Sequence, residues 1–227
     1  MPASRIRFIA AGAALCFCLS VPADEGPSRD TPVADSVEEA IEKGIAFLIE
    51  DQNENGSWGS PRQTKGLNIY APVPGSHEAF RTAVTAMAVS ALIESGLSDE
   101  PGPAAEAREK GEVYLLETLP LIRRATPTAI YNVWTHAYGL RALADMYPRA
   151  DDDTKSTIVE VMNQQIDRLG RYESVDGGWG YYDFDVGAAK PASSCISFTT
   201  ATCLVALHRV KDIEGVEIPD KLVQRAI

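Results

Sequence analysis

The stretch KGIAFLIEDQNENGSWG, Lys43 to Gly59, decides how the rest of the chain is read. Extended backwards, its apolar or small positions Val37, Ala40, Ile41, Gly44, Ile45 and Leu48 step by three and four, which puts them on one face of a helix. Asp35 or Ser36 supplies the N-terminal cap. The second half is a turn. Gly56 gives the backbone the freedom a tight reversal needs, and Trp58 offers a broad apolar plate to cover a helix junction.

The same pattern returns further along. A shift of 121 residues brings Ile158, Val161, Met162, Gln165, Ile166 and Leu169 onto that stripe. A shift of 67 brings Lys110 to Leu115 onto Lys43 to Leu48, although Arg108 and Glu112 interrupt the stripe and Pro120 ends it. A second kind of helix alternates with the first. TAMAVSAL (Thr85 to Leu92), HAYGLRAL (His136 to Leu143) and TATCLVAL (Thr200 to Leu207) match one another at spacings of 51 and 64 residues. Their shared face holds Thr85, Ala88, Val89 and Leu92, then His136, Gly139, Leu140 and Leu143, then Thr200, Cys203, Leu204 and Leu207. Alanine, methionine or valine on the neighbouring faces leaves little circumference suited to water, which predicts inner helices buried on several sides. Alternating amphipathic outer and apolar inner helices at this period mean a helical solenoid or a closed toroid. The segment Ile218 to Ile227 reads as the start of a fourth outer helix, so the array is expected to continue.

The skeleton of the opening stretch is a basic residue, Gly44, Phe47-Leu48, Gln52, Gly56 and Trp58 in one register. It resembles the QW motif of the prenyltransferase and squalene-cyclase repeat superfamily. The resemblance covers roughly residues 35 to 227, with the motif complete once. A second, imperfect copy, VDGGWGYYDF (Val175 to Phe184), carries Gly177 and Trp179, with Glu173 where the first has Gln52. It implies an all-α fold, an α/α toroid of helical hairpin repeats, here an incomplete ring of about three and a half hairpins. It also implies that the Gln52 amide stacks on Trp58 and bonds the backbone, tying an outer helix to the following inner one.

The catalytic residues of that superfamily do not assemble here. Its cyclases use an Asp-x-Asp-Asp acid, and the nearest string, Asp183-Phe184-Asp185-Val186, lacks the last aspartate. Asp151-Asp152-Asp153 stands at a helix start, where it reads as a cap. Zinc-binding members need Asp-x-Cys and a distant histidine. No Asp-x-Cys occurs, and His77, His136 and His208 do not pair at ligand spacing, so no metal and no cofactor is expected. The thioester string of related exported toroids is absent as well. The expectation is a site without chemistry of its own in this segment, taking an apolar molecule, a polysaccharide or a protein partner. The alternative is an isoprenoid-cyclase-like or polysaccharide-lyase-like enzyme whose catalytic residues lie mostly beyond residue 227. Candidates for binding are His77, Glu78, Arg81 and Tyr181, on the connections 59 to 79 and 180 to 197 that lead into inner helices. Candidates for catalysis are His136, Asp183 and Asp185. His136 stands where the sister helices have Thr85 and Thr200, and a satisfied core histidine is the competing reading.

Arg5 and Arg7 precede an apolar run, Phe8 to Val21, and a small-residue site at Ala23. That is the pattern of a cleavable signal peptide, residues 1 to 23, followed by a polar leader, residues 24 to 34, and a repeat domain from residue 35 to 227. The run has 14 residues, short of the roughly 20 a spanning helix needs. A secreted or periplasmic protein follows. Cleavage takes the formal charge from −11 to −13 by removing the two arginines, which disfavours nucleic acid as a partner. Cys195 and Cys203 then remain, read as two buried thiols.

Overall fold

The computed structural model describes residues 36–59, 74–122, 132–180, 190–191 and 195–227, and of residues 74–77 and 132 the backbone only. Tyr181, Asp183 and Asp185 lie outside the described residues, as do the signal-peptide and leader segments. The described part is helical, with no strand among its residues. Among the described residues seven α-helices follow one another: α1 (Val37–Asp51), α2 (Pro74–Glu94), α3 (Pro103–Thr118), α4 (Asn132–Met146), α5 (Asp152–Tyr172), α6 (Ser197–Val210) and α7 (Asp220–Gln224).

Local signals set the boundaries. Ser36 caps α1 by accepting the Glu39 N–H at 3.1 Å, and Asp151 caps α5 by accepting from Thr154 at 2.8 Å. That bond holds the exposed Asp151 carboxyl below its ordinary range, so Asp151 to Asp153 start a helix rather than supply an acid. Pro103 opens α3 at a position where proline's missing N–H costs nothing. Pro120 turns its end into a short 3₁₀ segment, Leu119–Leu121.

The even-numbered helices form one layer. α2 packs most extensively on α4 and α4 on α6, while α3 packs behind α2 and α5 behind α4. The layer is parallel, as two pairs of contacts establish. Thr135 of α4 donates to the Ala79 carbonyl of α2 at 2.5 Å near their starts, and Ser90 donates to Asp145 at 2.7 Å near their ends. Between α4 and α6, the Trp134 and Phe198 rings stack at 5.7 Å near the starts, and Arg209 pairs with Asp145 near the ends.

The shared inner-helix face predicted from sequence is buried in α2 and α4, and in α6 it is buried at Cys203 and Leu207 and half-buried at Thr200 and Leu204. Each inner helix also keeps a side less buried. Val84, Met87, Phe198 and Val205 are exposed, Met87 and Val205 along the furrows that face α4. The outer stripe divides likewise. In α5 all six stripe residues are buried, whereas in α1 only Ile45 is, with Leu48 half-buried and Val37 and Ile41 exposed. α5 is held by α3 and α4 together; α1 meets its neighbours lightly. The two cysteines also differ. Cys203 is buried, with its thiol pKa pushed up by desolvation, but Cys195 is exposed just before α6, and both are free.

Candidate functional site

The best-built constellation is the tryptophan turn, which occurs twice. In the first copy Trp58 is 1% exposed and held at both ends: its backbone N–H donates to Thr85 Oγ1 at 3.0 Å and its indole Nε1–H to the Leu48 carbonyl at 2.7 Å. Thr85 in turn donates to the Arg81 carbonyl at 2.8 Å. The plug thus ties α1 to α2. Gly56 has φ +83°, and a Cβ there would collide with the Lys110 carbonyl of α3, so this position excludes a side chain on two grounds. Gln52 Nε2 donates to Gly56 O at 3.0 Å and to Ala107 O of α3 at 2.8 Å. The glutamine therefore reaches the next outer helix, while the tryptophan makes the link to the inner helix.

The second copy repeats the geometry with a different anchor. Trp179, fully buried, donates from N–H to Thr200 Oγ1 at 3.0 Å and from Nε1 to the Leu169 carbonyl at 2.9 Å. Gly177, at φ +92°, lies against the Arg225 carbonyl as Gly56 lies against that of Lys110. Glu173 has no amide N–H to offer a carbonyl. It faces cations instead, with Lys190 Nζ at 2.9 Å and Arg225 Nε at 3.6 Å.

The middle unit fills the same place by other means. Trp58 lies over Gly111 of α3, where a Cβ would stand 2.8 Å from its ring. A shift of 54 residues brings Gln165 of α5 to the position of Gly111, and His136 occupies that of Thr85. Gln165 Oε1 lies 2.7 Å from His136 Nδ1, and the imidazole stacks on Tyr172 at 5.8 Å. An amide and an imidazole stand where the flanking units have an indole and a threonine. His136 is fully buried among the described residues, in a setting that a core histidine would also have.

Of the binding candidates, Tyr181 lies outside the described residues. α2 begins at Pro74, so His77 and Glu78 belong to its first turns; Glu78 is exposed, the His77 side chain is outside the described residues, and Arg81 is half-buried beside Gly59. Among the described residues no three His, Cys, Asp or Glu converge as a metal site, and no helix is long and apolar enough to cross a membrane.

Sequence reasoning missed a different surface. Trp134, Tyr138 and Arg141 form a ridge along α4, flanked by two shallow grooves of about 180 and 260 Å³. Met87 and Ala91 wall the first, Thr202 and Val205 the second. Phe198, Trp134 and Tyr138 stack in series at 5.7 and 6.0 Å. One end of the ridge is charged: Arg141 pairs with Glu94 at 2.9 Å, and Arg209 with Glu94 at 3.6 Å and with the buried Asp145. The signal was present as i, i+4, i+7 sets, Trp134/Tyr138/Arg141 and Phe198/Thr202/Val205, on the side opposite the matched stripe. No family model matches the chain, and no solved structure matches it.

Proposed function

We propose that this chain is an exported repeat domain of the QW-motif α/α-toroid type that binds an apolar molecule, without transforming it, along the exposed face of α2, α4 and α6. The observation that carries the binding reading is the aromatic and apolar ridge. Exposed Met87, Phe198 and Val205 flank half-exposed Trp134 and Tyr138 on one face, where a water-facing helix would carry charge. The toroid reading draws support from alternating outer and inner helices, a parallel inner layer and two tryptophan turns with matching hydrogen bonds. Export draws support from Arg5, Arg7 and the Phe8 to Val21 run.

Trp134 makes the test direct, because Trp58 and Trp179 are sealed in the core. A long-chain isoprenoid alcohol titrated into the protein should change the Trp134 emission saturably, and Tyr138→Ala with Met87→Glu should weaken that binding about tenfold or more. An unchanged emission, or equal binding by the double variant, would remove this face as the site.

A further inference from the structure

The two furrows beside Tyr138 share one wall and end at one place. Tyr138 and Arg141 of α4 line both, with Met87 and Ala91 across the first and Ala201 and Val205 across the second. Because α2, α4 and α6 are parallel, the furrows run the same way, from the stacked rings of Trp134 and Phe198 toward the charged ends of the helices. They lie on either side of one helix and so about 8 to 10 Å apart. The first is about 12 Å long, from Ala86 to Glu94. Where the furrows end, charges of both signs stand at the surface. Arg209 is held by the buried Asp145, which leaves Arg141 and Glu94, 2.9 Å apart and 41% and 45% exposed, as a pair. An exposed pair contributes little to stability, so either member can turn to a ligand charge at small cost.

We infer that the ridge holds one two-chain zwitterionic phospholipid astride Tyr138, an acyl chain in each furrow, its phosphate on Arg141 and its ammonium on Glu94. The inference rests on the ridge being the face that takes an apolar chain, and adds a second chain and a head. One chain fills one furrow and leaves the other to water. Two chains leaving neighbouring glycerol carbons diverge around the intervening ring and bury apolar surface on both sides of it. The head follows from the pair. A head of one sign would satisfy either Arg141 or Glu94 and strand the other, whereas a phosphate joined to an amine gives each a charge-assisted partner.

The experiment titrates the full chain with two lipids of equal tail carbon, diheptanoylphosphatidylcholine and tetradecylphosphocholine, each below its micelle concentration, and reads Trp134 emission. The two-chain lipid should bind about tenfold more tightly, because its second chain is presented to the second furrow by the first. Ala91→Phe and Ala201→Phe, each at the rim of one furrow, should separately erase that advantage while the single-chain lipid still binds. Glu94→Gln should move the preference, at fixed heptanoyl chains, from the phosphocholine to the phosphoglycerol head by about threefold at low salt. Equal affinity for one chain and two would overturn the inference. So would an advantage untouched by both phenylalanines, a head preference indifferent to Glu94→Gln, or a response to phosphatidylcholine vesicles without one to the monomeric lipid. The isoprenoid alcohol separates the two failures: if it binds and a second chain adds nothing, the two-chain reading alone falls, and if none of the three binds, the ridge falls with it.

Discussion

The turns at residues 52 to 58 and 173 to 179 build the same plug on different electrostatic footings. Both tryptophans give one proton to a threonine hydroxyl and one to the carbonyl ten residues earlier. Both turn glycines abut the carbonyl of the next outer helix. At the anchor they part. Gln52 is a donor aimed at two carbonyls, while Glu173 accepts from Lys190 and has the Arg225 guanidinium near it at 3.6 Å. The lesson is that the indole and the glycine define the turn, and the residue six before the tryptophan only needs partners of opposite hydrogen-bonding sense.

That comparison can be broken most forcefully at the indoles. Trp58→Ala and Trp179→Ala should each cost about 3 to 5 kcal/mol in urea unfolding, as truncation of a sealed aromatic commonly does. If Trp58→Ala melts like the parent, the first plug is ornamental and the two turns are not equivalent. Next come the glycines. Gly56→Ala and Gly177→Ala should each cost about 2 to 3 kcal/mol, from positive φ and from the carbonyl in the way. A cost at only one of them would show that the abutment of α3 and that of α7 differ in rigidity.

The anchors sharpen the contrast. Gln52→Glu puts a carboxylate against two carbonyl oxygens and should cost about 2 kcal/mol at neutral pH, recovering in acid as the group gains a proton it can donate. Glu173→Gln should cost about 1 kcal/mol, read as a change in denaturation midpoint, because its amide nitrogen would face Lys190 and Arg225. Equal effects in the two swaps would mean that the anchors work through shape alone. The smallest effect is expected in the middle unit. His136→Thr, which restores the residue of the sister helices, should cost about 1 kcal/mol by leaving Gln165 without its partner, and should be additive with neither Gln165→Leu nor Tyr172→Ala in double-mutant cycles.

Much of this fold was legible as sequence because its rules are local. Caps at Ser36 and Asp151, the Pro120 stop, and the stripes of α2, α4, α5 and α6 all follow from spacing and residue type. The exposure of the α1 stripe was not legible, for the opposite reason. Its stripe has the pattern of the α5 stripe, but burial depends on what stands opposite, and a periodicity does not record its neighbours. The setting of His136 was illegible in the same way, since nothing near it in sequence announces Gln165, 29 residues on. The aromatic ridge was hidden by success: once one face of each inner helix matched its sisters, the opposite face went unread although it carries Trp134 and Phe198.

The pairing of Ser90, Asp145 and Arg209, with Glu94 and Arg141 alongside, has a mechanical consequence. These groups join the last turns of three parallel helices, and Thr135 and the Trp134–Phe198 stack join their first turns. A helix fastened to its neighbour at both ends cannot slide along it by even one residue, a rise of about 1.5 Å, without breaking both fastenings. It can still rock about its long axis. Deformation of the layer should therefore be a fanning of α2, α4 and α6, widening or narrowing the furrows beside Tyr138, with shear along the helices suppressed.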